Sequence, residues 1–163
     1  MKILFVCTGN ICRSPTAEAV ARNKAKLLGL NDQFEFDSAG IEGYHLNDNP
    51  DPRAIETAIK QSIKQSVSFE GIKARQINKQ DLEHFDIIIA MDKSHQSFLL
   101  NFANNQKQRN KIKLFLEFFK VKNSWDNQVI DPYYKSSQAF DEVFQVISLA
   151  LDNFFNNLSS TTN

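Results

Sequence analysis

No stretch of this chain stays apolar for the roughly eighteen residues a membrane helix needs, so nothing in it reads as a membrane span. The apolar start is too short for a signal peptide and runs at once into a loop. Neither sign of charge is in excess: 19 Lys and Arg face 19 Asp and Glu. That balance excludes the basic field that draws proteins to nucleic acid or to an acidic membrane. Cysteine is scarce. Cys7 and Cys12 stand in a Cys-x4-Cys spacing that matches neither a redox Cys-x-x-Cys motif nor a zinc site, and no histidine lies near. Repeats and low-complexity linkers are missing too, so the 163 residues are expected to form one domain over 1–158 with a flexible tail at 159–163.

What is present concentrates in residues 2–15. Ile3 to Val6 is apolar without alternation, which suits a parallel strand covered on both faces. Ser14 offers a hydroxyl N-cap, and Pro15 sits where a first helical turn tolerates proline. Cys7 to Arg13 must then be a tight loop joining strand to helix, with Gly9 free to take angles a side chain would forbid. Such a loop aims several backbone N–H groups at one point, in front of the positive end of a helix dipole, and so forms an anion cradle. A thiol at its first position has its thiolate stabilised by those dipoles, and a guanidinium at its end grips two phosphate oxygens. Nucleophile, cradle and clamp in one loop read as phosphoryl transfer through a cysteine. The Cys-x5-Arg spacing alone also fits a buried cysteine beside a solvated arginine. The strand before it and helix after it favour the cradle.

The rest of the chain alternates strand and helix. A helix is expected over Pro15–Leu28 with Ala17, Val20, Ala21 and Leu27 inward, then a strand over Phe34–Ser38. Asp51-Pro52 opens a helix carrying Ile55, Ala58, Ile59 and Ile63 on one face. Asp86–Ala90 is a buried-type strand, followed by Asp92 as N-cap of a helix through Phe98, Leu99 and Phe102. Ile112–Leu116 makes a fourth strand. Phe140, Val143, Phe144, Ile147, Leu151 and Phe155 mark a last helix over Ser137–Leu158, a stripe of core rather than a cofactor box. The fold class is therefore α/β: a three-layer sandwich whose four-stranded, twisted parallel sheet has helices on both faces and a phosphate-binding loop after the first strand.

Asp131, in the loop toward the same sheet edge, supplies what the cradle lacks. Phosphate leaves a phenol poorly unless an acid protonates the departing oxygen, and a placed carboxylic acid does so. Pro132 restricts the backbone around it, and Tyr133 and Tyr134 offer an apolar wall for an aromatic leaving group. An Asp-Pro turn capping the last helix is the plainer alternative.

The run Val6-Cys7-Thr8-Gly9-Asn10-Ile11-Cys12-Arg13-Ser14-Pro15, with Asp131-Pro132-Tyr133-Tyr134 far downstream, resembles the signatures of the low-molecular-weight protein tyrosine phosphatases. The resemblance implies hydrolysis of phosphotyrosine in proteins, and of small aryl phosphates, through a cysteinyl-phosphate. Cys7 would be nucleophile, Arg13 clamp and Asp131 acid, then base. Thr8, Gly9, Asn10, Ile11, Cys12 and Ser14 would line the phosphate, with Ser38 in the network behind them. Ile11, Tyr44, Tyr133 and Tyr134 would form the substrate cleft, His45 having a weaker claim. Cys12 would be a partner able to trap an oxidised Cys7 as a disulfide. Neither metal nor cofactor is called for, since loop amides and Arg13 supply the positive charge. The expected partners are a phosphotyrosine protein substrate and phosphate or other oxyanions, in the reducing cytoplasm that suits a working thiolate.

One feature departs from the family pattern. A histidine that braces Asn10 precedes the Lys-Ala-Arg-Gln stretch in relatives, whereas Ile72 stands before Lys73-Ala74-Arg75-Gln76 here. That puts the loop's rigidity in question more than its chemistry. Two other activities share the architecture. An arsenate reductase needs further cysteines to relay a disulfide. A protein-arginine phosphatase carries threonine where Ile11 stands, and a bulky apolar residue suits an aromatic ring better.

Overall fold

The computed structural model describes residues 1–62, 67–122 and 125–160. Ile63, expected on a helix face, lies outside them, as do 161–163 of the expected tail. The four strands are β1 (Lys2–Cys7), β2 (Glu35–Gly40), β3 (Ile87–Ala90) and β4 (Ile112–Leu114). They pair in parallel in the order β2-β1-β3-β4. The chain thus leaves β1 for one neighbour and later returns to its other side. This is a topological switch point, and it opens a crevice just beyond Cys7.

Side chains of β1 divide between two cores, as the strand's period of two requires. Ile3, Phe5 and Cys7 face α1 (Arg13–Leu27) and the last helix, while Leu4 and Val6 face Leu82, Leu99 and Leu114. Between β2 and β3 run α2 (Pro52–Gln61) and α3 (Asp81–His84). Then come α4 (Lys93–Phe102), α5 (Gln106–Lys111), α6 (Phe115–Phe118) and α7 (Ser137–Ser160). Phe115 and Phe155 are fully buried, in a cluster of near-perpendicular phenylalanine pairs around Phe34, Phe119 and Phe154.

Several local expectations are corrected. The fourth strand stops at Leu114, because Phe115 to Phe118 turn into a helical turn that buries Phe115 and Leu116. Leu27 is 53% exposed, and Ala25 takes the inward place. On α2 the buried residues are Ala54, Thr57 and Ala58, while Ile59 is 67% exposed. Small residues face inward there, which lets the helix approach closely. Helix α7 carries helical backbone to Ser160, two residues into the expected tail.

Candidate active site

The loop after β1 is short, and its geometry rests on Asn10 rather than Gly9. Asn10 holds the left-handed conformation, φ 57°, which asparagine tolerates better than most residues. Gly9 is not in that region. Its lack of a side chain makes room, since a Cβ there would come 2.9 Å from His45 Cδ2. Ser14 is not the N-cap of α1 either. The helix begins at Arg13, with Cys12 in the cap position and no side-chain cap, so the Ser14 hydroxyl is free for other work.

That work lies behind the loop. Asn10 Oδ1 accepts from the Arg75 amide at 2.9 Å, which fixes its amide orientation. Its Nδ2 donates to Ser14 Oγ at 2.9 Å and to Ser38 Oγ at 2.8 Å. The Ser38 hydroxyl in turn donates to Glu18 Oε2 at 2.5 Å. Ser14 Oγ, already accepting from Asn10, lies 3.0 Å from Cys7 Sγ and 3.4 Å from the Ala39 carbonyl, so its one proton is shared between the sulfur and that carbonyl. Glu18 is 1% exposed and paired with Arg22 at 2.5 Å. Burial pushes its carboxyl up to about 7, against the pull of Ser38, Arg22 and Arg75 and with a push from Asp37. Among the three histidines of the chain, His45 pairs with Asp48, His84 with Glu35 and His95 with Thr8. Ile72 is buried, 4% exposed. None of the three histidines pairs with Asn10, whose bracing consists of Ser14, Ser38 and the Arg75 amide.

In front of the loop stands Arg13, 2% exposed. Nη1 donates to Asp92 Oδ2 at 2.8 Å and to the Val129 carbonyl at 3.1 Å. Nη2 donates to Asp131 Oδ2 at 2.8 Å and to Thr8 Oγ1 at 3.3 Å. Asp92 is the N-cap of α4, as expected, its Oδ1 accepting from the His95 amide. Burial works against its charge, but His95, Ser94 and Arg13 hold its carboxyl below the usual range. Asp131 does not cap α7. Its Oδ1 accepts from the Tyr133 amide in a local turn while Oδ2 faces Arg13. The Val129 amide, bonded to the Met91 carbonyl at 2.8 Å, ties this acid loop to the end of β3.

A cleft of about 150 Å³ joins these parts, walled by Ile11, Tyr44, His45, Tyr133 and Tyr134 above Cys7 and Arg13. Tyr133 and Tyr134 meet edge to face at 4.7 Å, and Tyr134 is 95% exposed at the rim. Arg53 donates to the Tyr133 carbonyl and to both oxygens of Asp51, the N-cap of α2. It thereby fastens the acid loop to the helix beside Cys12. Cys12 is a buried free thiol whose Sγ leans on Asp51 at 3.7 Å. Burial, then Asp51 and Cys7, push that thiol far up, out of reach of the thiolate form. A larger groove of about 630 Å³, lined from α1, the end of α2 and α7, holds neither cysteine nor arginine.

The structure thus brings Cys7, Arg13, Asp131, the loop residues, Ser38, Tyr44, Tyr133 and Tyr134 to one place. His45 belongs there as well. Sequence reasoning missed Glu18 and His95. A glutamate set among Ala17, Val20 and Ala21 on an inward face was a legible sign of the first, whereas nothing local marked the second.

Fold and site together define an α/β protein with a buried thiol and a buried guanidinium in one loop at its switch point. A family model described as low molecular weight phosphotyrosine protein phosphatase matches residues 2–163, and the chain belongs to that family as a protein-tyrosine phosphatase. It is 42% identical over 147 residues to the low molecular weight protein-tyrosine-phosphatase YfkJ of Bacillus subtilis, covering 90% of this chain and 88% of that protein. The crystal structure of YfkJ superposes with a TM-score of 0.85 at 37% identity, covering 100% of this chain and 97% of that one. The structure of protein tyrosine phosphatase from Entamoeba histolytica with Hepes in the active site gives 0.84 at 31% identity, with coverage of 100% and 99%. Among the described residues, no helix is long and apolar enough to cross a membrane.

Proposed function

We propose that this chain hydrolyses phosphotyrosine in protein substrates with Cys7 as nucleophile, Arg13 as clamp and Asp131 as acid and base. The observation that carries the reading is the convergence of the three on one cleft, with Arg13 Nη2 2.8 Å from Asp131 Oδ2. Cys7 Sγ attacks phosphorus in line, and the phenolic oxygen departs as the P–O bond breaks. Asp131 gives that oxygen its proton. Loop amides and the Arg13 fork hold the equatorial oxygens, where negative charge is spread. Water then attacks the cysteinyl-phosphate, Asp131 takes a proton from it, and the thiolate leaves with help from the Ser14 hydroxyl.

Ile11 and the rim tyrosines suit an aromatic ring, which favours phosphotyrosine over phosphoserine. A reducing compartment such as the cytoplasm suits the free thiols of Cys7 and Cys12. The test is turnover of phosphotyrosine, phosphoserine and phosphoarginine peptides side by side in metal-chelating buffer, for wild type and Cys7→Ser. Only the phosphotyrosine peptide is expected to turn over. Cys7→Ser should lose turnover while still binding phosphate. Residual wild-type turnover in Cys7→Ser would end the assignment.

A further inference from the structure

Arg13 is gripped by two carboxylates, yet its Nη2 also leans on a neutral hydroxyl, that of Thr8. The same hydroxyl lies 2.8 Å from Nε2 of His95, a residue 87 positions away and 1% exposed. On the other side of the ring, His95 Nδ1 sits 3.0 Å from Asp92 Oδ1. That approach is too oblique for a well-made hydrogen bond, and Nδ1 has no other partner among the described residues. Asp92 Oδ2 returns to Arg13 Nη1 at 2.8 Å. Arg13, Thr8, His95 and Asp92 therefore close a ring around the guanidinium.

The direction of every proton in that ring follows from the neighbours. A bare nitrogen lone pair 3.0 Å from a carboxylate oxygen would be repelled, so Nδ1 carries the ring proton. Nε2 is then an acceptor, and Thr8 must donate to it. With its proton committed to His95, Thr8 turns only lone pairs toward Arg13 and no donor competes with the guanidinium. The groups facing His95 are Asp92, Asp131 and Arg13. Burial first, then Arg13, hold its imidazolium form down to about 4, so the acceptor persists at neutral pH.

We propose that His95 is a positioning residue for the phosphate clamp, accepting the Thr8 hydroxyl proton so that the Thr8 oxygen and Asp92 hold Arg13 flat toward the incoming phosphate. The inference rests on Arg13 being that clamp.

Its test compares His95→Leu, which removes the acceptor, with His95→Gln, whose Oε1 reaches about where Nε2 stands. Competitive inhibition by inorganic phosphate and kcat/KM on 4-nitrophenyl phosphate are read beside thermal unfolding. His95→Leu should weaken phosphate and lower kcat/KM by about tenfold each, while His95→Gln stays within about threefold of wild type. A merely structural histidine would lower the melting temperature of the leucine variant and leave its phosphate inhibition constant unchanged, which overturns the proposal. So does a glutamine variant as poor as leucine. Arg13→Lys serves as the control. If it binds phosphate as tightly as wild type, the clamp reading fails, whatever His95 does. Imidazole ¹⁵N shifts of the wild-type protein keep the question open to refutation even if His95→Leu does not fold. They should report the Nδ1–H tautomer from pH 6 to 8, and an Nε2–H tautomer would overturn the proposal.

Discussion

The two sides of the cradle are built differently. Behind it, Asn10, Ser14, Ser38 and Glu18 form a fully buried chain of amide and hydroxyl bonds with a carboxylate at its far end. In front, Arg13 is held by Asp92 and Asp131, with Thr8 and His95 completing the grip. The Asp131 side chain is half exposed there. The rear holds backbone and must not move, so it is built of amide and hydroxyl groups with their partners satisfied, ending on the Glu18 carboxyl that Arg22 pairs. The front, if it receives a phosphate dianion as proposed, needs charges whose partners can be exchanged. On the proposed reading, one side stabilises the loop and the other carries out the reaction.

Breaking the front should cost activity most. Asp131→Asn is expected to slow phosphotyrosine hydrolysis by roughly 10²–10⁴-fold. The loss should shrink as the leaving phenol becomes more acidic, because such a phenolate departs unaided. A flat loss across a leaving-group series would mean that Asp131 matters only for its turn with Tyr133.

Breaking the rear should show first in stability. Asn10→Ala removes three hydrogen bonds and places alanine at φ 57°, a loss of about 4 kcal/mol on chemical denaturation. If the variant unfolds like wild type yet is inactive, the division between the two sides is wrong.

Acidity sharpens the same contrast, because the two buried titrating groups have opposite signs. Glu18 is raised from 4.5 to about 7. Its contribution to stability is present below pH 4.5 and lost as pH rises through 7. His95 is lowered from 6.5 to about 4. Its contribution is present above pH 6.5 and lost as pH falls through 4. Each is worth about 3 kcal/mol at most. Relative to wild type, Glu18→Gln should therefore gain stability between pH 4.5 and 7, and His95→Gln should lose it between pH 4 and 6.5. Unfolding curves taken every half pH unit would sink the contrast if the two variants tilted the same way.

The smallest effect is expected from Ile72→His. With Asn10 already satisfied by Ser14, Ser38 and the Arg75 amide, a histidine in this buried place should leave kcat unchanged within about twofold. A large gain in stability or in phosphate affinity would mean that the rear is softer than its hydrogen bonds indicate.

Cys7 to Ser14 could be singled out as a strand-to-helix loop before any coordinates, because the proposed nucleophile, amides and clamp lie within eight consecutive residues. Their spacing is set by local chain geometry, which sequence records directly. The parallel sheet was legible for a similar reason, since uninterrupted apolar runs such as Ile3–Val6 and Ile87–Ala90 suit strands buried on both faces. Where tertiary packing competes with local pattern, the reading slipped. Phe115 and Leu116 continued the strand by composition but turned into helix, and Ile59 pointed outward because the smaller Ala58 allowed α2 to pack closely.

By itself, then, the sequence determined the strand–loop–helix cradle, the alternating α/β order and the chemistry of its residue types. Only the tertiary structure decided what holds that cradle. Arg13 meets Asp92 across 79 residues, Thr8 meets His95 across 87, and Ser38 meets Glu18 across 20. Such pairs leave no periodicity in the chain, for they depend on strands β1, β2 and β3 lying side by side and ending at one edge. Whether a buried histidine is neutral, or a buried glutamate resists ionisation, depends in turn on which charges that edge collects and how much water it excludes.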